Sequence, residues 1–252
     1  MISIIGAGPG DPDLITVKGK KLIDDADVIV YAGSLVNPMV LSGAKKSAKI
    51  YNSAEMDLDA VIDVMSTAEK KGLKVVRVHT GDPAIYGAHR EQIDRLEDMG
   101  IECEVIPGVS SFLAAAAVLK KEYTLPNVSQ TVILTRMEGR TPMPQKEKLE
   151  DLARHNATMI IFLSVGFMDE MVTSLVAGGY SPDTPVAVVY KATWPDQKIV
   201  TGTLVDIAEK VKTEKIKKTA LTIVGRFLGD EYDLSKLYDK NFTTGFRQGT
   251  ER

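Results

Sequence analysis

The feature that most constrains this chain is the alternation of short apolar runs with helical patterns through its first half. Short apolar runs bounded by turn residues are typical of buried parallel strands, and apolar residues at helical spacing predict helices. The predicted strands are 2–5, 28–31, 73–78 and 102–106, and the predicted helices are 15–24, 57–70, 86–99 and 109–119. Strands that alternate with helices form a parallel sheet covered on both faces. The first half is therefore predicted to be an α/β domain.

A polar stretch at 120–128 interrupts this pattern, and Pro126 within it disfavours helix just before it. We place a domain boundary there. The predicted strands beyond it are 131–135, 158–163, 186–190, 198–201 and 220–224, and the predicted helices are 146–154, 167–177 and 205–211. Because 186–190 and 198–201 flank a loop and could pair as a hairpin, this sheet is predicted to be mixed. The domains are then 1–122 and 123–229, followed by a polar tail at 230–252 that we expect to be mobile.

Composition and charge exclude several classes of protein. The net charge of -3 provides no broad basic surface for nucleic acid. A single cysteine, Cys103, excludes an intrachain disulfide, and its two acidic neighbours disfavour a reactive thiolate. The first residues lack the pattern of a signal peptide, and no apolar run reaches the length of a membrane span. We expect a cytoplasmic protein that binds neither nucleic acid nor membrane.

The glycine-rich loop at 6–11 follows a strand and precedes a helix, as a dinucleotide-binding loop does. Three details oppose a nicotinamide cofactor. Asp11 stands where the third glycine belongs, and its charge would repel a pyrophosphate. Pro9 and Pro12 remove main-chain donors. The second strand ends at 31–33 without the acidic residue that would bind a ribose. The alternative is a tight turn that an acidic side chain caps.

Three segments of the chain match the signatures of one enzyme family in order and spacing. They are 6–16 (GAGPGDPDLIT), 76–87 (VRVHTGDPAIYG) and 107–111 (PGVSS). Together they resemble the S-adenosylmethionine-dependent tetrapyrrole (precorrin and uroporphyrinogen) methyltransferases, and the resemblance covers about residues 1–228. The resemblance implies two α/β domains with an active-site trough between them for the macrocycle, a homodimer and catalysis without a metal.

Two further segments, 131–144 and 190–199, are similar to the branch of this family that acts on C11 of precorrin-4 or cobalt-precorrin-4 in cobalamin biosynthesis. A sibling enzyme that methylates another ring carbon is the alternative. A non-catalytic tetrapyrrole-binding protein is a second alternative, from another functional class. The sequence does not distinguish a cobalt-containing substrate from a metal-free one.

The resemblance also implies which residues bind the methyl donor S-adenosylmethionine. They are Pro9, Gly81, Asp82, Ile85, Ser110, Ser111, Leu163, Ala192 and Ala220. Asp82 follows a parallel strand, where ligands of open α/β sheets collect, and its carboxylate can accept hydrogen bonds from the donor. Its alternative role is to cap a helix that starts near Pro83. Ser110 and Ser111 can likewise bind the donor or cap the following helix.

The acidic side chains of the tetrapyrrole substrate call for basic partners, and arginine binds both oxygens of a carboxylate. The candidate substrate-binding residues are Ser34, His79, Arg136, Arg140 and Lys191. His89 and His155 are interpreted as surface or packing residues, and no metal site is expected. Some relatives carry a proposed proton-transferring aspartate where this chain has Gly33. The catalytic residue therefore stays unassigned: either no base is needed there, or Tyr31 or a substrate carboxylate serves.

Overall fold

The computed structural model describes residues 1–250, which form two compact units. The first unit contains Met1–Val118 together with Lys191–Gln197. The second contains Leu119–Tyr190 and the chain from Lys198 onward. The units are therefore not two continuous stretches of chain, because a seven-residue segment late in the sequence groups with the first unit. The last two residues of the predicted tail lie outside the described part.

The first unit is built on a five-stranded sheet in which each neighbouring pair is parallel. Its strands are β1 (Ile2–Gly6), β2 (Val28–Tyr31), β3 (Lys49–Asn52), β4 (Val75–His79) and β5 (Cys103–Ile106). Its helices are α1 (Val17–Asp25), α2 (Leu58–Lys70), α3 (Arg90–Asp98) and α4 (Ser111–Leu119). The strand order is β3-β2-β4-β1-β5, so β1 and β4 are central neighbours.

Apolar residues cover both faces of this sheet. Ile23 of α1 packs on one face with side chains of β1, β2 and β4. Met65 of α2 and Leu96 of α3 pack on the other face. The helices α1 and α2 begin at side chains that cap them. The Thr16 hydroxyl accepts from the Gly19 N–H before α1, and the Asp57 carboxylate accepts from the Ala60 N–H before α2. This layered core fixes the positions of the loops at the ends of the strands.

The second unit has a mixed sheet in the order β6-β7-β10-β8-β9. Its strands are β6 (Val132–Arg136), β7 (Thr158–Phe162), β8 (Pro185–Tyr190), β9 (Lys198–Thr203) and β10 (Ala220–Val224), and its helices are α5 (Leu149–Ala153), α6 (Met168–Ala177) and α7 (Ile207–Thr213). β6 and β7 are parallel, whereas β10 runs antiparallel to β7 and β8, and β8 and β9 form the predicted hairpin. The predicted α/β class with a parallel and a mixed sheet is confirmed.

Two predictions of secondary structure were wrong. The strand β3 was not predicted, because it is a short edge strand with mostly polar or partly exposed residues. The third helix begins at Arg90 and not at residue 86, and the stretch 83–86 is a turn. Tyr86 and Ala88 have φ angles of 55° and 48°, which an α-helix excludes. No helix among residues 1–250 is long and apolar enough to cross a membrane.

Candidate functional site at the carboxyl edge of the parallel sheet

The order of the first sheet makes the carboxyl ends of β1 and β4 a topological switch point. The chain leaves β1 toward β2 on one side, and it leaves β4 toward β5 on the other. Ligands of open α/β sheets bind at such a switch point, just beyond the carboxyl ends of the strands. The loops that follow β1, β4 and β5 are the segments that carry most of the predicted donor-binding residues.

Three glycines bring these loops into direct backbone contact, and we call them the glycine junction: Gly6, Gly81 and Gly108. A Cβ on Gly6 would lie 2.6 Å from the Gly81 oxygen and 2.7 Å from the Gly108 Cα. Gly81 has a φ of 57°, in the left-handed region that glycine tolerates best. Side chains are therefore excluded where the three loops meet, and the three backbones lie in direct contact there.

The loop after β1 is held by its neighbours and offers little to an anion. Gly8 and Gly81 form a two-way backbone bridge, with N···O distances of 3.2 and 2.9 Å. Of the main-chain donors at 7–11, three are already engaged and Pro9 has none, which leaves the Gly10 N–H. The engaged donors are those of Ala7 to the His79 carbonyl, Gly8 to the Gly81 carbonyl and Asp11 to the Thr193 hydroxyl. This arrangement supports the rejection of a pyrophosphate cradle.

Asp82 links two of the loops through its carboxylate. One oxygen accepts from the Ala84 N–H at 2.8 Å, and the other accepts from the Gly108 N–H at 2.9 Å. The first bond closes the turn at 83–86 and does not cap a helix, so the helix-capping alternative was wrong. The second bond ties the loop after β4 to the loop after β5. Asp82 is therefore a structural partner of the glycine junction as well as a candidate ligand contact.

Ser110 and Ser111 lie beside Gly81 at the start of α4. The position of a Cβ on Gly81 would be 3.5 Å from the Ser110 Cα and 3.9 Å from its hydroxyl oxygen. The Ser110 carbonyl accepts the Leu113 and Ala114 N–H groups, so its backbone begins the helix. The structure thus brings together Pro9, Gly81, Asp82, Ser110 and Ser111 at one edge, with half-buried Ile85 in the turn after Asp82.

The segment Lys191–Gln197 reaches the same edge within the first unit. Ala192 in this segment is 5% exposed. The indole of Trp194 donates to the Pro9 carbonyl at 3.0 Å. The ammonium of Lys191 lies 2.6 Å from the Asp196 carboxylate and 5.0 Å from the centre of the Trp194 ring. Lys191 therefore already has a carboxylate partner, for which a substrate carboxylate would have to compete.

His79 at the end of β4 is 3% exposed, so direct contact with a substrate would require movement of the loop at 80–89. Burial lowers the pKa of the imidazole to about 3, and the charges of Arg77 and His89 act in the same direction. A hydrogen bond to the Gly87 backbone acts against this shift. Nε2 has no hydrogen-bond partner among the described residues, so Nδ1 makes that bond. The ring is neutral and helps to hold the loop that carries Asp82.

The low pKa of His79 predicts a pH dependence of stability. In the unfolded chain the ring titrates near its ordinary 6.5, whereas in the folded protein it titrates at about 3. Between these values the unfolded chain binds the extra proton, so stability falls as the pH drops. From pH 7.5 to pH 5 the contribution is about 2 kcal/mol. Denaturant unfolding at both pH values would measure this. Between pH 7.5 and pH 5 the wild type should lose about 2 kcal/mol more unfolding free energy than His79→Gln. His155→Gln, at an exposed position, should keep the wild-type dependence; an equal dependence in His79→Gln would contradict the assignment.

The loop after β2 contributes a contact that the sequence did not predict. Ser34 is exposed in this loop. The amide of Asn52 lies over Gly33, where a Cβ would be 2.7 Å from the Asn52 Nδ2. The Asn52 Oδ1 accepts from the Ala54 N–H at 3.0 Å. An amide that is not a base therefore occupies the space beside Gly33, and the unpredicted strand β3 is what places it there.

The remaining predicted residues belong to the second unit. The guanidinium of Arg136 donates to the carbonyls of Met137, Thr141 and Pro142, so this side chain shapes its own loop. Arg140 lies exposed in that loop. Leu163 follows β7, has a φ of 55° and is 64% exposed. Ala220 begins β10 and is half-buried. Their roles in binding stay predictions.

No group of three or more His, Cys, Asp or Glu side chains within residues 1–250 is arranged to hold a metal ion. Cys103 is half-buried, and desolvation, followed by the nearby Glu97, raises the pKa of its thiol. These surroundings favour the protonated thiol and fit the interpretation of Cys103 as a structural residue.

The fold is that of an α/β protein with a parallel sheet whose glycine loops meet at the carboxyl edge, the place where ligands of open α/β sheets collect. The chain belongs to the tetrapyrrole (corrin/porphyrin) methylases, a family that matches residues 1–208. The resemblance drawn from the sequence motifs is thereby confirmed.

Two relatives match almost the whole chain. A cobalt-precorrin-4 C(11)-methyltransferase of Methanocaldococcus jannaschii is 63% identical, over 100% of this chain and 97% of the relative. A precorrin-4 C(11)-methyltransferase of Pseudomonas aeruginosa is 48% identical, over 98% of this chain and 99% of the relative.

Two solved structures are similar in fold. A cobalt precorrin-4 methyltransferase has 49% identity and a TM-score of 0.89, covering 91% of this chain and 96% of its own. A uroporphyrin-III C-methyltransferase from Thermus thermophilus, complexed with S-adenosyl homocysteine, has 27% identity and a TM-score of 0.76. The match covers 90% of this chain and 92% of that one.

Proposed function

We propose that this chain transfers a methyl group from S-adenosylmethionine to C11 of cobalt-precorrin-4 or precorrin-4 in cobalamin biosynthesis. The observation that carries the proposal is the meeting of the segments 6–16, 76–87 and 107–111 at the glycine junction. The names of the relatives at 63% and 48% identity support the reaction, and the higher-identity relative favours the cobalt-containing substrate.

The carboxyl edge fits the chemistry of this donor. S-adenosylmethionine carries an amino group, a carboxylate, ribose hydroxyls and an apolar adenine ring. The edge offers the half-buried Asp82 carboxylate, the Ser111 hydroxyl and the apolar surface of Ile85. Ser110 and Ala192 are 4% and 5% exposed, so their contact with the donor would require movement of the residues around them. The bare backbone at the glycine junction allows a ligand to approach closely. A structure with S-adenosyl homocysteine among the similar folds supports the same assignment.

The bound donor supplies a methyl group on a positively charged sulfur, and the electron-rich ring carbon is the nucleophile. The residues of this chain then have to align the two reactants and exclude water. The space beside Gly33 is taken by the Asn52 amide, which is not a base. We therefore assign the site an orienting role and assign no general base.

Calorimetric titration with S-adenosylhomocysteine, followed by methyl transfer from labelled donor, tests the proposal. We expect binding, and product NMR should place the label at C11. Cobalt-loaded and metal-free substrates compared side by side decide between the two forms. Absence of binding would overturn the donor assignment. A label at another carbon would favour a sibling enzyme, and substrate binding without transfer would favour a carrier protein.

Arg140 is the best candidate to bind a substrate carboxylate. Nothing within residues 1–250 pairs with its guanidinium, in contrast to Arg136 and Lys191. We expect Arg140→Ala to raise the KM for the tetrapyrrole about tenfold or more, since a charge-assisted hydrogen bond contributes about 1.5–3 kcal/mol, with little change in donor affinity. Steady-state kinetics would measure this. Lys71→Ala, another exposed basic residue, should leave KM unchanged, and an unchanged KM in Arg140→Ala would mark it as a surface residue.

The proposal also keeps the expectation of a homodimer and of a cytoplasmic location. Light scattering of the purified protein would measure the oligomeric state, and cell fractionation would test the location.

A further inference from the structure

Trp194, the single tryptophan of the chain, covers the backbone of the loop after β1. Its Nε1 donates to the Pro9 carbonyl at 3.0 Å, across 185 positions of sequence. The indole also packs directly on Gly10, where a Cβ would overlap the pyrrole part of the ring and lie 2.9 Å from Cγ. A side chain at position 10 would therefore collide with the Trp194 ring in this arrangement.

The backbone around Trp194 is held in an unfavourable conformation by its contacts. Thr193 has a φ of 69° and Lys191 a φ of 47°, values that are uncommon outside glycine and are outliers for a β-branched residue. Two hydrogen bonds of Thr193 stabilise this conformation. Its hydroxyl accepts from the Asp11 N–H at 3.0 Å, and its N–H donates to the Gln197 side chain at 2.7 Å. Strained residues of this kind persist where the surrounding contacts fix them, and they concentrate at functional sites.

Two further contacts hold the loop after β1 independently of Trp194. The Asn37 amide donates to the Gly10 carbonyl at 2.7 Å, and Gly8 is bridged to Gly81. The Trp194 bond thus adds the restraint at Pro9, the loop residue that is predicted to touch the donor. Because a proline has no N–H, its carbonyl is the main-chain group through which this residue can be held.

We propose that Trp194 is a positioning residue that sets donor affinity by holding Pro9 and Gly10 in their binding conformation. This inference rests on the proposed function, because it takes the ligand at this edge to be the methyl donor. Trp194 acts through the loop and not on the reacting atoms. Its loss should therefore change donor binding much more than tetrapyrrole binding.

The test is calorimetric titration of S-adenosylhomocysteine into wild type and Trp194→Phe. Phenylalanine keeps an aromatic ring against Gly10 but removes the bond to Pro9. We expect the donor-product Kd to rise about five- to tenfold, the effect of one hydrogen bond, while the KM for the tetrapyrrole stays within twofold. Tyr238→Phe is the matched control: it removes an aromatic donor at a position that is 83% exposed, and it should bind like wild type.

A double-mutant cycle tests the contact itself. Gly10→Ala should weaken binding in the wild-type background, because the methyl group displaces the indole. In the Trp194→Ala background the same change should cost little, since the clash has been removed. The fluorescence of Trp194 in the wild-type protein should also respond to S-adenosylhomocysteine, because no other tryptophan contributes.

The outcomes separate this inference from the proposed function. If wild type fails to bind S-adenosylhomocysteine, the donor assignment itself is wrong. If wild type binds and Trp194→Phe binds within twofold of it, the positioning role is wrong. A Trp194→Phe protein that loses thermal stability but keeps donor affinity would have a structural role alone, which also overturns the inference.

Discussion

Replacing Gly108 with alanine should weaken donor binding at least tenfold and strongly destabilise the first unit. The new Cβ would overlap the Gly81 carbonyl oxygen and lie 2.8 Å from the Gly6 Cα. All of these neighbours are backbone, so no flexible side chain can move aside. We expect a loss of about 3 kcal/mol, the upper part of the range for overpacking, and a fall in the unfolding midpoint of roughly 6–12 °C. Denaturant and thermal unfolding would measure this, and titration with S-adenosylhomocysteine should show at least a tenfold loss of affinity.

Gly100→Ala is the matched control within the same unit. Gly100 has a φ of 75°, but nothing lies within 4 Å of the position of its Cβ. This variant therefore measures the conformational cost of replacing a glycine, about 1 kcal/mol, without a collision. It should keep full donor affinity. If Gly108→Ala resembled Gly100→Ala in both stability and binding, the close approach of the three loops would not be essential to the site.

The architecture was predictable to the extent that it depends on local pattern. Buried strands such as β2 consist of apolar residues and one tyrosine, so their position and the α/β class followed from composition and alternation. The strand β3 was not predictable in this way, since its pairing partner β2 supplies the hydrogen bonds and its own side chains stay half-exposed or exposed. The start of α3 was also misplaced, because helical spacing continues into 86–89 while Tyr86 and Ala88 adopt left-handed backbone angles.

The candidate site was predictable in its residues but not in their partners. Gly81 and Asp82 could be selected because they follow a strand in a motif. That Asp82 would accept the Gly108 N–H depends on how three loops meet, which no local pattern encodes. Trp194 lies in the segment 190–199, which the sequence marked by its family resemblance, yet its partner Pro9 lies 185 positions away. Asn52 was missed altogether, because it lies at the end of a strand that was not predicted. Contacts distant in sequence are therefore what the structure adds.

Replacing Asp82 with alanine should weaken donor binding more than substrate binding. The variant loses both hydrogen bonds of the carboxylate, to the N–H groups of Ala84 and Gly108. Hydrogen bonds to charged groups contribute about 1.5–3 kcal/mol each, and the partly exposed position of Asp82 places the expected loss of stability near 2 kcal/mol. Because the Gly108 loop is released and a predicted ligand contact is removed together, the donor-product Kd should rise more than tenfold. The KM for the tetrapyrrole should change less.

Asp57→Ala separates loss of stability from loss of function. Asp57 also accepts one main-chain N–H, that of Ala60 at 2.8 Å, but it caps α2 and belongs to none of the loops at the glycine junction. Its replacement should cost about 1 kcal/mol and leave donor affinity unchanged. Asp82→Asn adds a finer test, since an amide can accept from one N–H but turns a donor toward the other. Its affinity should lie between wild type and Asp82→Ala. A folded Asp82→Ala with wild-type donor affinity, or with a larger effect on tetrapyrrole KM than on donor Kd, would remove Asp82 from the donor site and leave it a purely structural link between two loops.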